Sequence, residues 1–413
     1  MQSKVYPFES LTQIKQRLYD FADTFEWAQV LDSNLRHAAL KLDVYELIAG
    51  IGMVNLLSGN AEQQLLQLNQ SKHWHFFVLP YTLFEDQDVP IIFQAATVWR
   101  IEKQSNSLII DNNGMSEQAF LALLAQWEDY VSVDLSLTLP KLPFTPNTNH
   151  EQYIKQVKAI QQNIYDGAYY ELNYCIGFNA YTNHWPSLSL FKAFNALTQS
   201  PFAAWIKTPQ LHVLCSSPER FLALQNQTLI AQPIKGTNRI EPDNDLQLQR
   251  LKQSEKDRAE NVMIVDLMRN DLGQVSDAGT VKVQELCGAY AYTSVNHLVS
   301  SITAVKKTSA LFSDVMQACF PMGSMTGAPK QEVMKHIQLY ESSSRGYYSG
   351  SIGYCTPDGQ FDSNVLIRSI VYTPGNHAVS YHVGGAIVLD SDPESEYQEC
   401  LLKGEKMAKL FNA

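Results

Sequence analysis

Cysteine is scarce in this chain, and none of it is paired in sequence. The six cysteines (Cys175, Cys215, Cys287, Cys319, Cys355, Cys400) are scattered through 413 residues without a Cys-x-x-Cys spacing. That excludes a disulfide framework, makes zinc a poor candidate, and fits reduced core thiols in a cytoplasmic protein. Charge is sparse as well: 18% of residues are charged and 45% hydrophobic, which excludes a disordered chain. The net charge of −11 argues against nucleic acid as the main partner. No apolar run reaches the roughly 18 residues of a membrane span, and Met1 to Pro7 lacks the apolar core of a signal peptide. Long internal repeats and low-complexity tracts are absent too.

What is present is large enough for one big domain or two. The stretch Leu139 to Asn149 carries three prolines within seven residues and is the best boundary candidate. It divides a region 1–145, expected to pack on the catalytic part, from a catalytic region 146–413. After it, His150 to Tyr165 reads as a helix with Tyr153, Val157, Ile160 and Ile164 on one face, stopped by Gly167. Ser351 to Cys355, Phe361 to Tyr372 and Val379 to Leu389 read as an antiparallel meander joined by Pro357-Asp358-Gly359 and Pro374-Gly375-Asn376. The class expected is therefore α+β.

Within the catalytic region, Lys235 ends an otherwise apolar strand in Gln232-Pro233-Ile234-Lys235-Gly236-Thr237. Such a lysine either reaches back to water along its stem or stays buried. Burial would lower its pKa and make a neutral nucleophile. A hairpin turning at Asn226-Gln227 would set Glu219 across from Lys235, give or take a bulge. That pair is either a structural ion pair or an acid and a nucleophile.

Two helices concentrate acids. Ser254 with Asp257 resembles a capping box opening a helix that Gly273 would stop, and Asp257 and Glu260 share its face. Asp392-Pro393-Glu394 opens another, with Glu396, Glu399 and Lys403 in line. Acids in a first turn also answer the helix dipole. Together the two pairs could close on one hard cation such as Mg²⁺.

The loop Pro321 to Lys330 is glycine-rich without Walker spacing; its amides could border an anion, or it is a connecting turn. Arg368, alternating with Leu366 and Ile370 on a strand, calls for an anion if buried. Gly384 and Gly385 in Val383-Gly384-Gly385-Ala386 suit a backbone that a ligand approaches closely.

Taken in order, Ser217-Pro218-Glu219-Arg220-Phe221, Pro233 to Thr237, Lys256 to Asn261, Ile264 to Leu272, His297 to Ser300, Gly323 to Lys330, Ser351 to Tyr354 and Glu396 to Glu399 resemble the chorismate-utilising enzymes. The resemblance runs from about Glu151 to Lys409. It implies a four-layer α/β/β/α fold with two large, mainly antiparallel sheets. It further implies Mg²⁺ held by Glu260 and Glu399, with Asp257 and Glu396 nearby. Gly236, Thr237 and Gly385 would receive the ring carboxylate and Arg368 and Tyr354 the enolpyruvyl carboxylate, with His297 and Lys403 lining the site. In the family the anthranilate branch typically has alanine where Lys235 stands, and the aminodeoxychorismate branch has lysine as nucleophile. The implied reaction joins chorismate and ammonia into 4-amino-4-deoxychorismate, with Glu219 as acid.

Two rival readings are an anthranilate synthase component and a non-catalytic binding protein on the same scaffold. The absence of a Gly-x-Cys-x-Gly elbow implies a separate glutamine amidotransferase as ammonia source. Glu171 departs from the glutamine usual in this branch, and Met322 and Ala386 replace usual glycines. Trp27 to Ser33 loosely resembles a tryptophan-binding stretch of relatives.

Overall fold

Short runs of β-branched and aromatic residues dominate the chain and set it up as strands. In His75–Leu79, for example, every residue is buried, as in a strand covered on both faces. The computed structural model describes residues 2–34, 44–85, 88–132, 139–293 and 295–412. Among these, ten α-helices accompany twenty strands, and every strand pairing is antiparallel. The class is α+β.

The ladders join all twenty strands into one hydrogen-bonded network. N-terminal strands are built into it: Ala28–Asp32 pairs with Phe202–Lys207, and His75–Leu79 with Ser351–Cys355. The proline-rich connector is itself anchored. Thr145–Pro146 pairs with Asn179 and Phe178, and the Leu142 amide donates to the Phe411 carbonyl.

Four apolar clusters are buried among the described residues, three of them large. One gathers residues of the helices Leu11–Asp23, Glu117–Asp129, His150–Tyr165, Ser187–Thr198 and Pro393–Asn412. A second gathers residues of Ala61–Gln70, Glu255–Val275 and Phe312–Cys319. The third, with Trp27, Ile48, Phe76, Val213 and Ile352 among its members, draws on no helix.

His150–Tyr165 forms the expected helix with Tyr153, Val157 and Ile160 buried, and Gly167 follows at φ 82°. Two expectations differ. The helix opened at Ser254 continues through Gly273 to Val275, because nothing crowds Gly273 and the apolar face continues. The run Phe361 to Tyr372 is two strands, Phe361–Val365 and Ser369–Thr373, separated by a bend at which Arg368 takes φ 49°. The bend sends the first to Arg220–Gln225 and the second to His212–Ser217, so the expected meander is two separate hairpins.

Candidate active site

The hairpin forms where expected. Asn226 and Gln227 both adopt left-handed φ, 47° and 66°, the backbone that a two-residue turn requires. Gln225 then faces Thr228 and Ala223 faces Ile230. A register shift follows before Arg220. The Arg220 guanidinium is buried and forks onto Asp362 at 2.9 and 2.8 Å, while a third nitrogen donates to Gln232 Oε1 at 2.6 Å. That anchor holds the neighbouring Glu219 at 4% exposure. At Pro233 the chain leaves the hairpin, and Ile234–Arg239 pairs instead with Val295–Val305. Glu219 and Lys235 are thus not opposed rungs of one ladder, although the lysine charge still acts on the carboxyl.

The side chain bonded to Lys235 is Glu171, at the start of the strand Glu171–Tyr181. Lys235 Nζ lies 2.8 Å from Glu171 Oε1, with the side chains 10% and 1% exposed. Lys235 is therefore not the neutral amine that burial alone would make. Desolvation does lower its pKa, but Glu171, then Glu260 and Glu219, outweigh it and hold the group above its ordinary value. Glu219 behaves oppositely. Burial pushes its pKa up to about 7 against contacts with Ser324, the Ile234 backbone, Lys235 and Arg368. A carboxyl poised there can donate a proton near neutrality.

Acids from two helices face this pair. Ser254 caps the helix Glu255–Val275, its hydroxyl accepting from the Asp257 amide. Asn261 on the same helix donates to the carbonyls of Lys235 and Leu298, tying helix to strands. Gly236 takes φ 87°, and a Cβ there would meet Asp257 Cβ at 2.8 Å; only glycine lets helix and strand approach this closely. On the helix Pro393–Asn412, Glu396 accepts from Ser391 and Glu399 pairs with Lys403 at 2.8 Å. A Cβ on Gly385 would lie 3.4 Å from Glu396 and 3.7 Å from Lys403, so this backbone borders the acids.

Lys256, 3.9 Å from Glu260, also acts on Glu396 and Glu399. Burial raises the pKa of Glu260 and of Glu396, to which neighbouring carboxylates add; Lys403 lowers that of Glu399. Among the described residues no three acidic, imidazole or thiol groups converge as a preformed metal ligand set. Two carboxylate pairs, Asp257 with Glu260 and Glu396 with Glu399, share lysine counter-charges and offer the oxygen ligands that a hard cation takes along with water and substrate oxygens.

The anion-binding side centres on His297. Its Nδ1 bonds Thr237 Oγ1 at 2.9 Å, while the buried Nε2 has no hydrogen-bond partner. Burial, then the Arg368 charge, lowers its pKa to about 3, so the ring is neutral. Tyr292 packs edge-on against it at 4.8 Å. The Arg368 guanidinium makes no hydrogen bond or ion pair among the described residues, and burial lowers its pKa; a ligand anion would satisfy it. Its aim comes from the left-handed bend rather than from strand alternation. Lys403 donates to the Gly384 carbonyl at 2.9 Å. Gly384 itself is demanded by packing, since a Cβ would fall 2.4 Å from Cys175 Sγ.

Other sequence expectations are redirected. Tyr354 does not join this cluster: strand alternation points it into the helix-free core, against Tyr45, Trp74 and Phe76 at 5.9, 5.9 and 6.4 Å. There it borders a cavity with Leu31, Asp32, Ser33 and Asn364. Two amides of the glycine loop are spent internally, Met325 and Thr326 donating to the Met322 and Gly323 carbonyls. It acts as a scaffold: Arg345, paired with Glu341, grips the carbonyls of Met325 and Asn173, and Ser324 reaches Glu219. Ser324 and Tyr292 had no sequence signal beyond lying near glycines or a turn. Glu171 stood out only as a departure from the family pattern.

The fold is that of a known enzyme class. The menaquinone-specific isochorismate synthase MenF from Escherichia coli matches with a TM-score of 0.80, covering 99% of this chain and 94% of that one, at 17% identity. The family model described as chorismate binding enzyme matches residues 19–409, so the chain belongs to the chorismate-binding enzyme family. Among curated relatives, the aminodeoxychorismate synthase component 1 of Escherichia coli (strain K12) is 40% identical over 266 residues, 64% of this chain and 58% of that protein. A probable chloroplastic aminodeoxychorismate synthase of Oryza sativa subsp. japonica is 41% identical over 286 residues, 68% of this chain. The match spans only 32% of that longer protein.

Proposed function

We propose that the chain is an aminodeoxychorismate synthase component I, converting chorismate and ammonia to 4-amino-4-deoxychorismate for 4-aminobenzoate and folate synthesis. The observation that carries this reading is Lys235, buried among Glu171, Glu219 and Glu260. Similarity to the aminodeoxychorismate synthases supports it. A strand-only core alongside two helix-lined cores supports a four-layer α/β/β/α arrangement. In this reading the region 1–145 packs on a catalytic region 146–413.

Chorismate is a dianion, and the cluster offers receptors for two carboxylates. Arg368 and the open Nε2 of His297 take one, and Gly236, Thr237, Gly385 and Lys403 border the other. Glu260 and Glu399 would hold Mg²⁺, with Asp257 and Glu396 beside them. The metal would supply Lewis acidity and a template for the substrate carboxylate. Glu219, protonated below about pH 7, gives its proton to the departing 4-hydroxyl. The Lys235 amine adds at C2, and ammonia then enters at C4 and expels the lysine.

Ammonia comes from a separate glutamine amidotransferase, which "component 1" in a relative's name supports. The free, buried cysteines support a reducing compartment such as the cytoplasm. Among the described residues no helix is long and apolar enough to cross a membrane. Tryptophan, in this reading, would enter the cavity bordered by Leu31, Asp32 and Ser33.

The test is mass analysis of the product from chorismate, ammonium and Mg²⁺. A product retaining the enolpyruvyl group with nitrogen in place of the hydroxyl is expected, and glutamine should not replace ammonium. An aromatic product that has lost pyruvate would instead identify an anthranilate synthase component.

A further inference from the structure

We propose that Glu171 is the proton acceptor for the Lys235 amine, so that the nucleophile is released inside a buried pair rather than by exchange with water. The inference rests on the aminodeoxychorismate synthase reading above. One oxygen of Glu171 is 2.8 Å from Lys235 Nζ. The other is buried with no hydrogen-bond partner. The backbone around it is fixed: Ala328 pairs with Glu171, and a Cβ on Gly327 would fall 2.0 Å from the Glu171 carbonyl oxygen. The carboxylate therefore stays on the amine, away from water.

Acids at three other places in the fold also act on Lys235. They are Glu219 before the strand Arg220–Gln225, Glu260 on the helix Glu255–Val275 and Glu399 on the helix Pro393–Asn412. Each favours the ammonium, so addition to chorismate needs a local acceptor for one proton. In a site shut from water, a neutral acid–amine pair comes closer in energy to the ion pair than it does in solution.

The protons balance. Lys235 ammonium gives one to Glu171, and the free amine forms the bond to C2 as the 4-hydroxyl leaves with the proton of Glu219 as water. Ammonia bonds to C4, the two ring double bonds that moved in the first step shift back, and Lys235 departs as the neutral amine. It recovers its proton from Glu171, while the new C4 ammonium returns one to Glu219.

The test compares the full-length wild type with Glu171→Gln, using chorismate, ammonium and Mg²⁺ across pH. The ratio of their kcat values cancels the titration of Glu219 that both share. The Gln/wild-type ratio should be about one-tenth or less at pH 7 and rise with pH, with KM for chorismate little changed. Without substrate, acetylation of Lys235 followed by mass spectrometry should be faster in Glu171→Gln, which removes the strongest of the charges that hold the amine as ammonium. A purely structural role would not speed labelling while slowing turnover. Glu171→Asp, which keeps an acceptor, should hold a constant ratio across pH even if slower. Wild-type kcat at neutral pH in Glu171→Gln, or unchanged labelling, overturns the proposal. If Lys235→Ala is inactive in that case, the function reading survives. If Lys235→Ala keeps full turnover, the covalent reading falls and this inference with it.

Discussion

Glu219 and Lys235 show how far a side chain's neighbours decide its chemistry. Both are buried, yet burial leaves Glu219 an acid titrating at about 7 while three carboxylates keep Lys235 charged. Replacing the acid, Glu219→Gln, should lower kcat about 100-fold or more and remove the alkaline fall in activity centred near pH 7; steady-state pH profiles check both. The same shift makes a stability statement. The folded pKa of about 7 exceeds the ordinary carboxyl value of 4.5, so nothing is lost below about pH 4.5 and stability falls as pH rises toward 7. Glu219→Gln should therefore gain up to about 3 kcal/mol over wild type at pH 8 relative to pH 4.5, read by urea denaturation. A constant difference across pH would contradict the assignment. The sequence marked both residues, but not the protonation state of Lys235. That depends on Glu171, 64 positions away in sequence.

Elements bring these side chains to one place through a few positions where nothing but glycine fits. At Gly236 the left-handed φ and the 2.8 Å approach of Asp257 act together. Gly236→Ala should force the helix Glu255–Val275 from the strand, costing about 1–3 kcal/mol in stability and, on the proposed function, weakening chorismate binding measured with Mg²⁺ present. Thermal denaturation and titration calorimetry check this; an unperturbed variant would show that the close packing is not required. Helix starts were legible, because Ser254 and Asp392 carry their caps in local sequence. The bend at Arg368 was not: a positive φ in an apolar run leaves no mark in alternation. Tyr354 was misplaced for a related reason. Its motif shows that it lies on a strand, but only the pairing with His75–Leu79 shows which core it faces.

At the scale of the whole molecule, the α+β class and two hairpins, Ser351–Cys355 with Phe361–Val365 and Ser369–Thr373 with Ala378–Ile387, were readable from turn residues and apolar runs. That the two hairpins would join different strands instead of one meander was not. Nor was the way N-terminal strands enter the network. Pairings such as Ala28–Asp32 with Phe202–Lys207 join segments about 175 residues apart, and no local pattern encodes such a register. The consequence is functional: acids from a helix near the chain's end, the lysine strand and Glu171 meet because distant segments close the network around them. The central claim is that this closure aims the Lys235 amine at C2 of chorismate. Intact-protein mass spectrometry of wild type and Lys235→Ala, mixed with chorismate and Mg²⁺ and quenched without ammonia, tests it most directly. The account predicts that wild type gains the mass of chorismate less one water and that the variant gains nothing. Equal gains in both, or none in either, would contradict it.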